Sequence, residues 1–435
     1  MNPEFNPSVE PETTGRFIVT FREGAQDEAV AALEKSAGVR QANLLRSADF
    51  AESGIDMDQV PAEGGAVLGN LGMAVVSVPP DAAGTLAMEA SEESAILAVE
   101  PEGIMYALSE LKGVSLDYLR GFRDCAQSIY TAASAAPGEG EEGVEPGLAG
   151  FIDSPAHTWG LIATKAAVSR FTGQGINVAV LDTGLFLAHP DFAGRRIVSR
   201  SFISGVVSAN DGHGHGTHCT GTACGALKPP VGPRYGIAHK ANVFIGKVLS
   251  DQGSGGDGGI LAGIDWAITN KCHVISMSLG ANVPTTTRFY EAAGERALNA
   301  GSLIVAAAGN NANRSSGNFG FVGRPANSMS FMAVGALDGT LRVADFSARD
   351  TARAAGTAVD IAAPGVAVYS SWPMPTRYRT INGTSMATPH VAGIAALWAQ
   401  ATRARGGALW QRVITSARAL PLPIVDVGRG LVQAP

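Results

Sequence analysis

The sequence predicts an α/β fold in which a parallel sheet carries helices on both faces, preceded by a small α+β domain. Three observations lead to this prediction. From Trp159 onward, apolar runs with the length of buried strands alternate with segments of helical period. Glycine is abundant, with 54 residues, and clusters from Gly173 onward, as tight strand–helix turns require. Aromatic residues make up only 6% of the chain, so aliphatic side chains must build most of the core.

Length and charge narrow the classes of partner. A chain of 435 residues can form a large domain and a smaller one. The net charge of −7 argues against nucleic acid or an anionic membrane surface as a partner. No apolar run reaches the ~18 residues that a membrane span needs. We therefore expect a monomer that binds neither nucleic acid nor a membrane.

The first residues, MNPEFNPSVEPETTG, contain neither the basic nor the apolar region of a signal peptide. The expected location is therefore the cytoplasm, and the alternative is a secreted protein whose leader has been removed. Four cysteines are too few and too unevenly spaced for a disulfide framework, so we expect free thiols.

The N-terminal part predicts a small ferredoxin-like α+β domain at 16–106, after a disordered lead-in at 1–15. A polar, glycine-rich stretch fills 51–66. The predicted elements alternate as strand, helix, strand, helix and strand: Arg16–Phe21, Asp27–Ala37, Met73–Val78, 81–92 and Ile96–Pro101. This domain contains no histidine and no cluster of nucleophiles, so we expect the chemistry elsewhere in the chain.

Residues 107–150 separate the two predicted domains. The apolar period over 108–135 predicts one amphipathic helix. Residues 136–147 are acidic and rich in glycine and proline, which is typical of an exposed linker that proteases cut easily.

The second domain, at 151–435, is predicted to hold the parallel sheet. The predicted strands are Ile176–Leu181, Asn242–Leu249, Val274–Leu279, Leu303–Ala308 and Phe331–Ala336, and the predicted helices cover 217–225, 258–270, 288–300 and 384–401. In sheets of this type the functional residues follow the C-terminal ends of the strands. Candidate residues are therefore those just after each strand.

Polar side chains occupy several of these positions. Asp182 follows the first strand, Asn310 follows the strand at 303–308, and His215 lies in a glycine-rich segment before a helix. Ser385 begins the last helix, where free backbone N–H groups favour a developing negative charge. Taken singly, each has a structural alternative, since Asp and Asn form turns and Ser caps helices. Taken together, an acid, a histidine base and a serine nucleophile at one sheet edge predict covalent catalysis.

Two other chemistries compete in the same region. His213, His215, His218 and Cys219 suit a metal by residue type. However, glycines leave the early histidines on irregular backbone, while the last two residues lie on a helix that turns away. Gly253–Gly258 matches the dinucleotide pattern G-x-G-x-x-G, but the acidic residue expected about 20 positions later is missing. We therefore expect neither a metal site nor a nucleotide site.

Three sequence blocks resemble the signatures of subtilisin-like serine proteases (subtilases), and the proteinase K branch is the most similar. The blocks are Val178–Gly184, His215–Thr222 and Gly383–Gly393, and they occur in the order that the family has. The resemblance extends over about 157–405. It implies a serine endopeptidase with Asp182, His215 and Ser385 as catalytic triad. It also implies that Asn310 and the Ser385 N–H form the oxyanion hole, which argues against a binding protein on the same scaffold.

The resemblance further implies where a protein or peptide substrate binds. Ser254, Gly255 and Gly256, and likewise Ser278, Leu279 and Gly280, resemble the two segments that pair with the substrate backbone. The pocket for the residue before the scissile bond (P1) would lie between Gly280, Ala308, Gly309 and Gly323. Small, uncharged walls imply an apolar or aromatic P1 residue.

The small domain at 16–106 resembles the inhibitor I9-type propeptide of the family. This implies a zymogen whose partner in cis is its own propeptide, and the alternative is a latent protease in which the propeptide stays bound. Because residues 107–150 are additional to the family pattern, processing near Tyr106 and processing within 137–150 both stay open.

The resemblance implies no cofactor for the chemistry. It leaves a structural calcium ion open at Asp191, but the proline-rich loop at 225–235 lacks the usual asparagine ligands and does not support that site. Cys219, beside the histidine block, is expected to be a buried thiol that makes the enzyme sensitive to mercurials.

Overall fold

The computed structural model describes residues 12–55, 59–108, 150–350 and 358–435. The predicted amphipathic helix at 108–135, apart from Leu108, and the acidic linker at 136–147 lie outside these ranges. The described residues therefore form two regions: an N-terminal region up to residue 108 and a second region from residue 150 onward.

The N-terminal region is a mixed sheet with two helices. Its elements are β1 (Thr13–Phe21), α1 (Gln26–Ala37), β2 (Leu44–Arg46), β3 (Gly65–Leu68), β4 (Met73–Val76), α2 (Pro80–Glu89) and β5 (Ile96–Ala107). The strand order is β5-β1-β4-β3-β2, and only β2 and β3 run parallel. The five predicted elements are present. The prediction missed β2 and β3, because strands of three or four residues are too short to show a period.

Two boundaries of this region differ from the prediction. The strand β1 begins at Thr13, which pairs with Gly103, so residues 13–15 are not part of a disordered lead-in. The strand β5 continues to Ala107 instead of ending at Pro101. Its last residues pair with two strands of the second region that are about 150 residues away in the sequence, and local periodicity carries no signal for such partners.

The second region contains the predicted parallel sheet. Its elements are α3 (Trp159–Ala163), β6 (Asn177–Asp182), β7 (Ile197–Ser201), α4 (His215–Cys224), β8 (Asn242–Lys247), β9 (Ser254–Gly256), α5 (Asp257–Thr269), β10 (Val274–Met277), β11 (Leu279–Gly280), α6 (Arg288–Asn299), β12 (Leu303–Ala307), β13 (Met332–Leu337), β14 (Ile361–Pro364), β15 (Val368–Ser371), β16 (Tyr378–Ile381), α7 (Thr384–Thr402), α8 (Gly406–Thr415) and α9 (Ile424–Val427). The sheet order is β14-β13-β12-β10-β6-β8-β7, and every pairing is parallel. The predicted fold class is confirmed. Within this sheet the prediction missed the two edge strands, β7 and β14. Outside it, the prediction did not include the short strands β9, β11, β15 and β16 or the helices α3, α8 and α9.

The central strands are buried on both faces. In β6, Val178 and Val180 belong to one hydrophobic cluster, which includes α4 and α7, whereas Ala179 and Leu181 belong to another, which includes α5 and α6. This two-sided burial is why such strands appear in the sequence as continuous apolar runs. Within the described ranges, no helix has both the length and the apolar character needed to cross a membrane.

The N-terminal sheet is also covered on both faces. Val19 packs in a cluster with Val30 of α1 and Leu86 of α2. Its neighbour Ile18 instead joins the cluster of the second region that contains Phe289 of α6. The two regions therefore share a hydrophobic core, and β5 continues from the N-terminal sheet to pair with strands of the second region.

Candidate active site

The three residues predicted to form a triad meet at the carboxyl edge of the parallel sheet. Asp182 is the last residue of β6, His215 is the first of α4, and Ser385 is the second of α7. All three are buried. The sheet topology therefore brings together residues that lie more than 200 positions apart in the sequence.

The acid and the histidine are hydrogen-bonded. His215 Nδ1 lies 2.8 Å from Asp182 Oδ1, which also accepts the Thr183 N–H at 2.7 Å. Burial by itself lowers the pKa of His215, but the Asp182 carboxylate and, to a smaller extent, Cys219 together outweigh it and hold that pKa well above its usual value. His215 Nε2 has no hydrogen-bond partner among the described residues. It is therefore the nitrogen that remains free to exchange a proton.

The serine is held beside the end of β10. Ser385 Oγ donates to the Ser278 carbonyl at 3.0 Å, and the Ser385 carbonyl accepts from Ser278 Oγ at 2.9 Å.

Cys219 lies beside the serine and the histidine. Its Sγ is 3.5 Å from the Ser385 carbonyl oxygen and 3.9 Å from His215 Nδ1. Burial raises the pKa of the Cys219 thiol. As expected, the cysteines of the described ranges are free and buried: Cys219, Cys224 and Cys272.

The histidines of the competing metal hypothesis do not converge on one point. His218 Nε2 lies 3.0 Å from the Val368 carbonyl and 3.2 Å from the Arg379 carbonyl, and burial lowers its pKa to about 3. Among the described residues, the potential metal donors that come within 4.8 Å of one another are those of Asp182, His215 and Cys219. In that group His215 Nδ1 is already hydrogen-bonded to Asp182.

The side-chain amide of Asn310 is oriented by its neighbours. Its Oδ1 accepts the Thr384 N–H at 3.0 Å and the Thr384 hydroxyl at 2.8 Å. Its Nδ2 consequently faces the other way and donates to the Leu108 carbonyl at 2.8 Å. A Cβ on Gly383, where φ is 151°, would lie 2.9 Å from that carbonyl oxygen. Glycine is therefore required beside the Leu108 carbonyl.

The strand β5 fills the groove between β9 and β11. It pairs antiparallel with both, so that Met105 lies opposite Gly255 and Tyr106 lies opposite Gly280. The Leu108 N–H continues the ladder by donating to the Ser278 carbonyl at 3.4 Å. The chain's own residues 104–108 thus pair with or hydrogen-bond to the two segments predicted to bind substrate, Ser254, Gly255, Gly256, Ser278, Leu279 and Gly280.

The remaining predicted pocket residues adjoin the end of this strand. A Cβ on Gly280 would lie 3.1 Å from Leu108 Cδ1, so the leucine side chain lies directly against this glycine. A Cβ on Gly323 would lie 2.5 Å from the carbonyl oxygen of the residue after Gly280, and the Gly323 N–H donates to the Ala308 carbonyl at 3.0 Å. Gly309 follows Ala308. The four residues of the predicted P1 pocket are therefore neighbours.

The sequence profile of the subtilase family matches residues 173–424, which is more than half of the chain. The chain belongs to the subtilase family. It is similar to subtilisin DY from Bacillus licheniformis, with 40% identity over 235 residues that cover 54% of this chain and 80% of the relative. It is similar to subtilisin Savinase from Lederbergia lenta, with 43% identity over 242 residues that cover 55% and 82%. It is also similar to a thermostable alkaline protease from Halalkalibacterium halodurans, with 41% identity over 280 residues that cover 63% and 72%.

This subtilase is therefore a serine endopeptidase, as the sequence blocks imply, and a subtilase needs no cofactor for catalysis. The profile match begins at residue 173 and does not include the N-terminal region. The contacts between the N-terminal region and the groove are therefore observed in the structure of this chain and are not implied by the profile match.

One buried acid of the subtilase groove escaped the sequence analysis. Asp257, the first residue of α5, is fully buried, and its Oδ2 accepts the Gly103 N–H at 2.8 Å. Its Oδ1 accepts the Tyr290 O–H at 2.6 Å. Burial raises the pKa of Asp257 to about 7. The sequence offered only an acidic residue at a helix start, which is a common structural feature.

The calcium position that the family resemblance leaves open has unsuitable partners in this subtilase. The Asp191 carboxylate accepts the Tyr235 O–H at 2.5 Å and the Tyr378 O–H at 3.0 Å, and the Arg377 guanidinium lies 4.0 Å away. Calcium needs six or more oxygen ligands, mostly carboxylates and carbonyls. Phenolic O–H donors and a cation around the single carboxylate do not fit such a site.

Proposed function

We propose that this subtilase is made as a zymogen and that Asp182, His215 and Ser385 are its catalytic triad. In this proposal the N-terminal domain occupies the active site until it is cut off. The contact that carries the proposal is the 2.8 Å hydrogen bond from Asn310 Nδ2 to the Leu108 carbonyl. An amide donor aimed at a peptide carbonyl, beside a buried serine and histidine, is the arrangement needed to stabilise an oxyanion.

In the proposed mechanism, Ser385 Oγ turns from the Ser278 carbonyl towards His215 Nε2 and attacks the substrate carbonyl. His215 takes the serine proton and later delivers it to the leaving amine. Asp182 holds the imidazole in the correct tautomer and stabilises its cation. Asn310 Nδ2 and the Ser385 N–H stabilise the oxyanion of the tetrahedral intermediate, and water then hydrolyses the acyl-enzyme.

The inferred P1 preference is for apolar side chains. The Leu108 side chain lies against Gly280, and the other predicted walls, Ala308, Gly309 and Gly323, carry no charge. A lysine or arginine at P1 would bring a charge into this pocket without a partner, which is costly in a buried site.

The proposed processing site is the Leu108–Ser109 bond, two residues beyond Tyr106. Leu108 is bound as a P1 residue would be, and β5 reaches it in the backbone register of a substrate strand. A cut within 137–150 is not needed to free the groove. The same antiparallel pairing explains why the attached N-terminal domain would inhibit the enzyme, since a substrate strand needs the same N–H and C=O groups.

A latent protease that keeps its N-terminal domain after the cut is the second candidate function. Glu102 is fully buried and accepts the Gly258 N–H at 2.7 Å, at the start of α5. It also forms a bidentate pair with Arg16, at 2.6 and 2.7 Å. The Gly258 contact crosses to the second region and does not depend on the Leu108–Ser109 bond, so it favours slow release. The Arg16 pair lies within the N-terminal domain and holds the carboxylate in position for that contact.

The decisive experiment compares the wild type with Ser385→Ala. After incubation, the wild type should yield a fragment whose N-terminal sequence starts at Ser109, hydrolyse casein and react with a fluorophosphonate probe. Ser385→Ala should stay intact and inactive while its circular dichroism spectrum is unchanged.

Undiminished casein hydrolysis by Ser385→Ala would reject the proposed nucleophile. A wild-type fragment that starts elsewhere would reject Leu108 as the processing position. A wild type that is cut after Leu108 but stays inactive, with both fragments eluting together, would favour the latent protease.

A further inference from the structure

We infer that this subtilase has an additional specificity site, built on Asp257, that binds the backbone N–H of the sixth substrate residue before the scissile bond (P6). The inference rests on the proposed function, because the residues are counted back from Leu108 at P1. Gly103, whose N–H donates to Asp257 Oδ2 at 2.8 Å, is then the P6 residue.

The position of Asp257 makes it the continuation of the substrate ladder. The pairing of β5 with β9 ends where Ile104 lies opposite Gly256. After Gly256 the chain turns into α5, so its backbone offers no further strand acceptor. The carboxylate of Asp257 stands at that point and accepts the next N–H of the bound strand.

The carboxylate is held ready for this contact. Asp257 is fully buried, and the hydrogen bond from the Tyr290 hydroxyl to Oδ1 leaves Oδ2 directed at the groove. Tyr290 is itself fully buried on α6 and packs edge-on against Phe331. Above its pKa of about 7 this carboxylate is ionised, and a hydrogen bond to an ionised acceptor is stronger than one between neutral groups.

The space around Gly103 predicts which P6 residues fit. A Cβ there would lie 3.2 Å from Asp257 Oδ2 and 3.7 Å from Arg324 Nη1. The first distance is tighter than an ordinary van der Waals contact, so any side chain at P6 requires a small shift. Glycine fits without adjustment, and proline lacks the N–H altogether. The site should therefore favour glycine and disfavour proline at P6.

The preceding residue provides an instructive contrast. Glu102 also contacts α5, through the Gly258 N–H, but its carboxylate is held at the same time by Arg16. Arg16 belongs to the N-terminal domain and is absent from any other substrate. Only the Asp257 contact is made to a group that every substrate of sufficient length carries.

The test uses the full chain, incubated until its activity is constant, and three chromogenic peptides. These are acetyl-X-Ile-Met-Tyr-Ala-Leu-p-nitroanilide with X as glycine, alanine or sarcosine (N-methylglycine). Sarcosine removes the P6 N–H and keeps the rest of the backbone. At pH 9, where Asp257 is ionised, we expect kcat/KM to fall about tenfold from glycine to sarcosine, the size expected for a hydrogen bond to a charged group. Alanine should lie between the two.

Variants then assign the effect to the carboxylate. In Asp257→Ala the ratio of kcat/KM for glycine and sarcosine should fall to about one, whereas Asp257→Asn, which keeps the shape and a weaker acceptor, should give an intermediate ratio. Asp265→Ala is the matched control, because Asp265 lies further along α5 and accepts the Asn70 N–H of the N-terminal domain at 2.8 Å. It should keep the wild-type ratio.

The outcomes separate this inference from the proposed function. If the wild type cleaves the glycine and sarcosine peptides equally well, the P6 site is rejected while the proposed function stands. If Asp257→Ala keeps the wild-type ratio, the penalty is steric and the role of Asp257 is rejected. If the wild type releases no nitroaniline from any of these leucine peptides, the proposed function is rejected and the P6 site with it.

Discussion

Removing the Glu102 carboxylate should destabilise the folded chain far more than removing an exposed acid that also contacts the second region. The test variant is Glu102→Ala in a Ser385→Ala background, where no processing can occur. In the parent, the buried carboxylate caps α5 through the Gly258 N–H at 2.7 Å, pairs with Arg16 and accepts the Thr14 hydroxyl. All of these contacts are lost together.

The expected magnitude follows from these contacts. Loss of a helix cap costs about 1 kcal/mol of the free energy of unfolding. The ion pair adds about 1–2 kcal/mol, because the Arg16 side chain is 30% exposed and solvent partly screens its charge. A total of about 2–3 kcal/mol corresponds to a decrease in Tm of roughly 2–3 °C for a chain of 435 residues, because the entropy of unfolding grows with chain length.

The assay is thermal unfolding followed by circular dichroism, with Glu92→Ala as matched control. Glu92 also pairs with the second domain, at 3.2 Å from Arg288, but the two side chains are 79% and 44% exposed. An exposed pair contributes below about 0.5 kcal/mol, so this control should shift Tm by roughly 0.5 °C at most. Equal shifts for the two variants would refute the argument that burial makes Glu102 decisive.

Four other side chains give further tests. Asn310→Ala should lower kcat by ~10²–10³, a magnitude that was measured in subtilisin itself, a member of the same family. A mercurial should inactivate the enzyme and should not inactivate Cys219→Ala, because Cys219 Sγ lies 3.9 Å from His215 Nδ1. Tyrosine hydroxyls occupy the Asp191 carboxylate, so we do not expect it to bind calcium. A chelator should therefore leave Tm unchanged within about 1 °C. The Tm of Ser385→Ala should fall from pH 5 to pH 8. Burial raises the pKa of Asp257 to about 7 in the folded chain, above the usual aspartate value of the unfolded chain, so the folded state holds an extra proton at low pH and loses this stabilisation as pH rises through 7.

Each of these predictions would be contradicted by a specific result. Asn310→Ala with wild-type kcat would remove the amide from the oxyanion hole. Inactivation of Cys219→Ala by the mercurial would point to another thiol, and a large fall in Tm on chelation would indicate a cation site. A Tm that does not change with pH, or that changes equally when Asp257→Asn is added, would exclude Asp257 as the titrating group.

The sequence predicted most of the fold because buried strands have a distinctive composition. Val178–Leu181 and the four other predicted runs are apolar on both faces, and each forms a central strand of the sheet. The edge strand β7 escaped prediction because an edge strand has one neighbour and tolerates exposed residues. The other edge strand, β14, is fully buried but has only four residues, which is too short to show a period. The candidate triad could also be predicted, because strand ends and helix starts can be located from the sequence.

What the sequence determined, then, was the α/β fold and the residue types of the catalytic edge, both of which depend on local pattern. The tertiary structure decided which groups meet across long stretches of chain. Leu108 at Asn310, Gly103 at Asp257 and the exit of β5 into the groove all join segments about 150 to 200 residues apart. Such contacts depend on how two domains pack, and no period or motif in either segment records them.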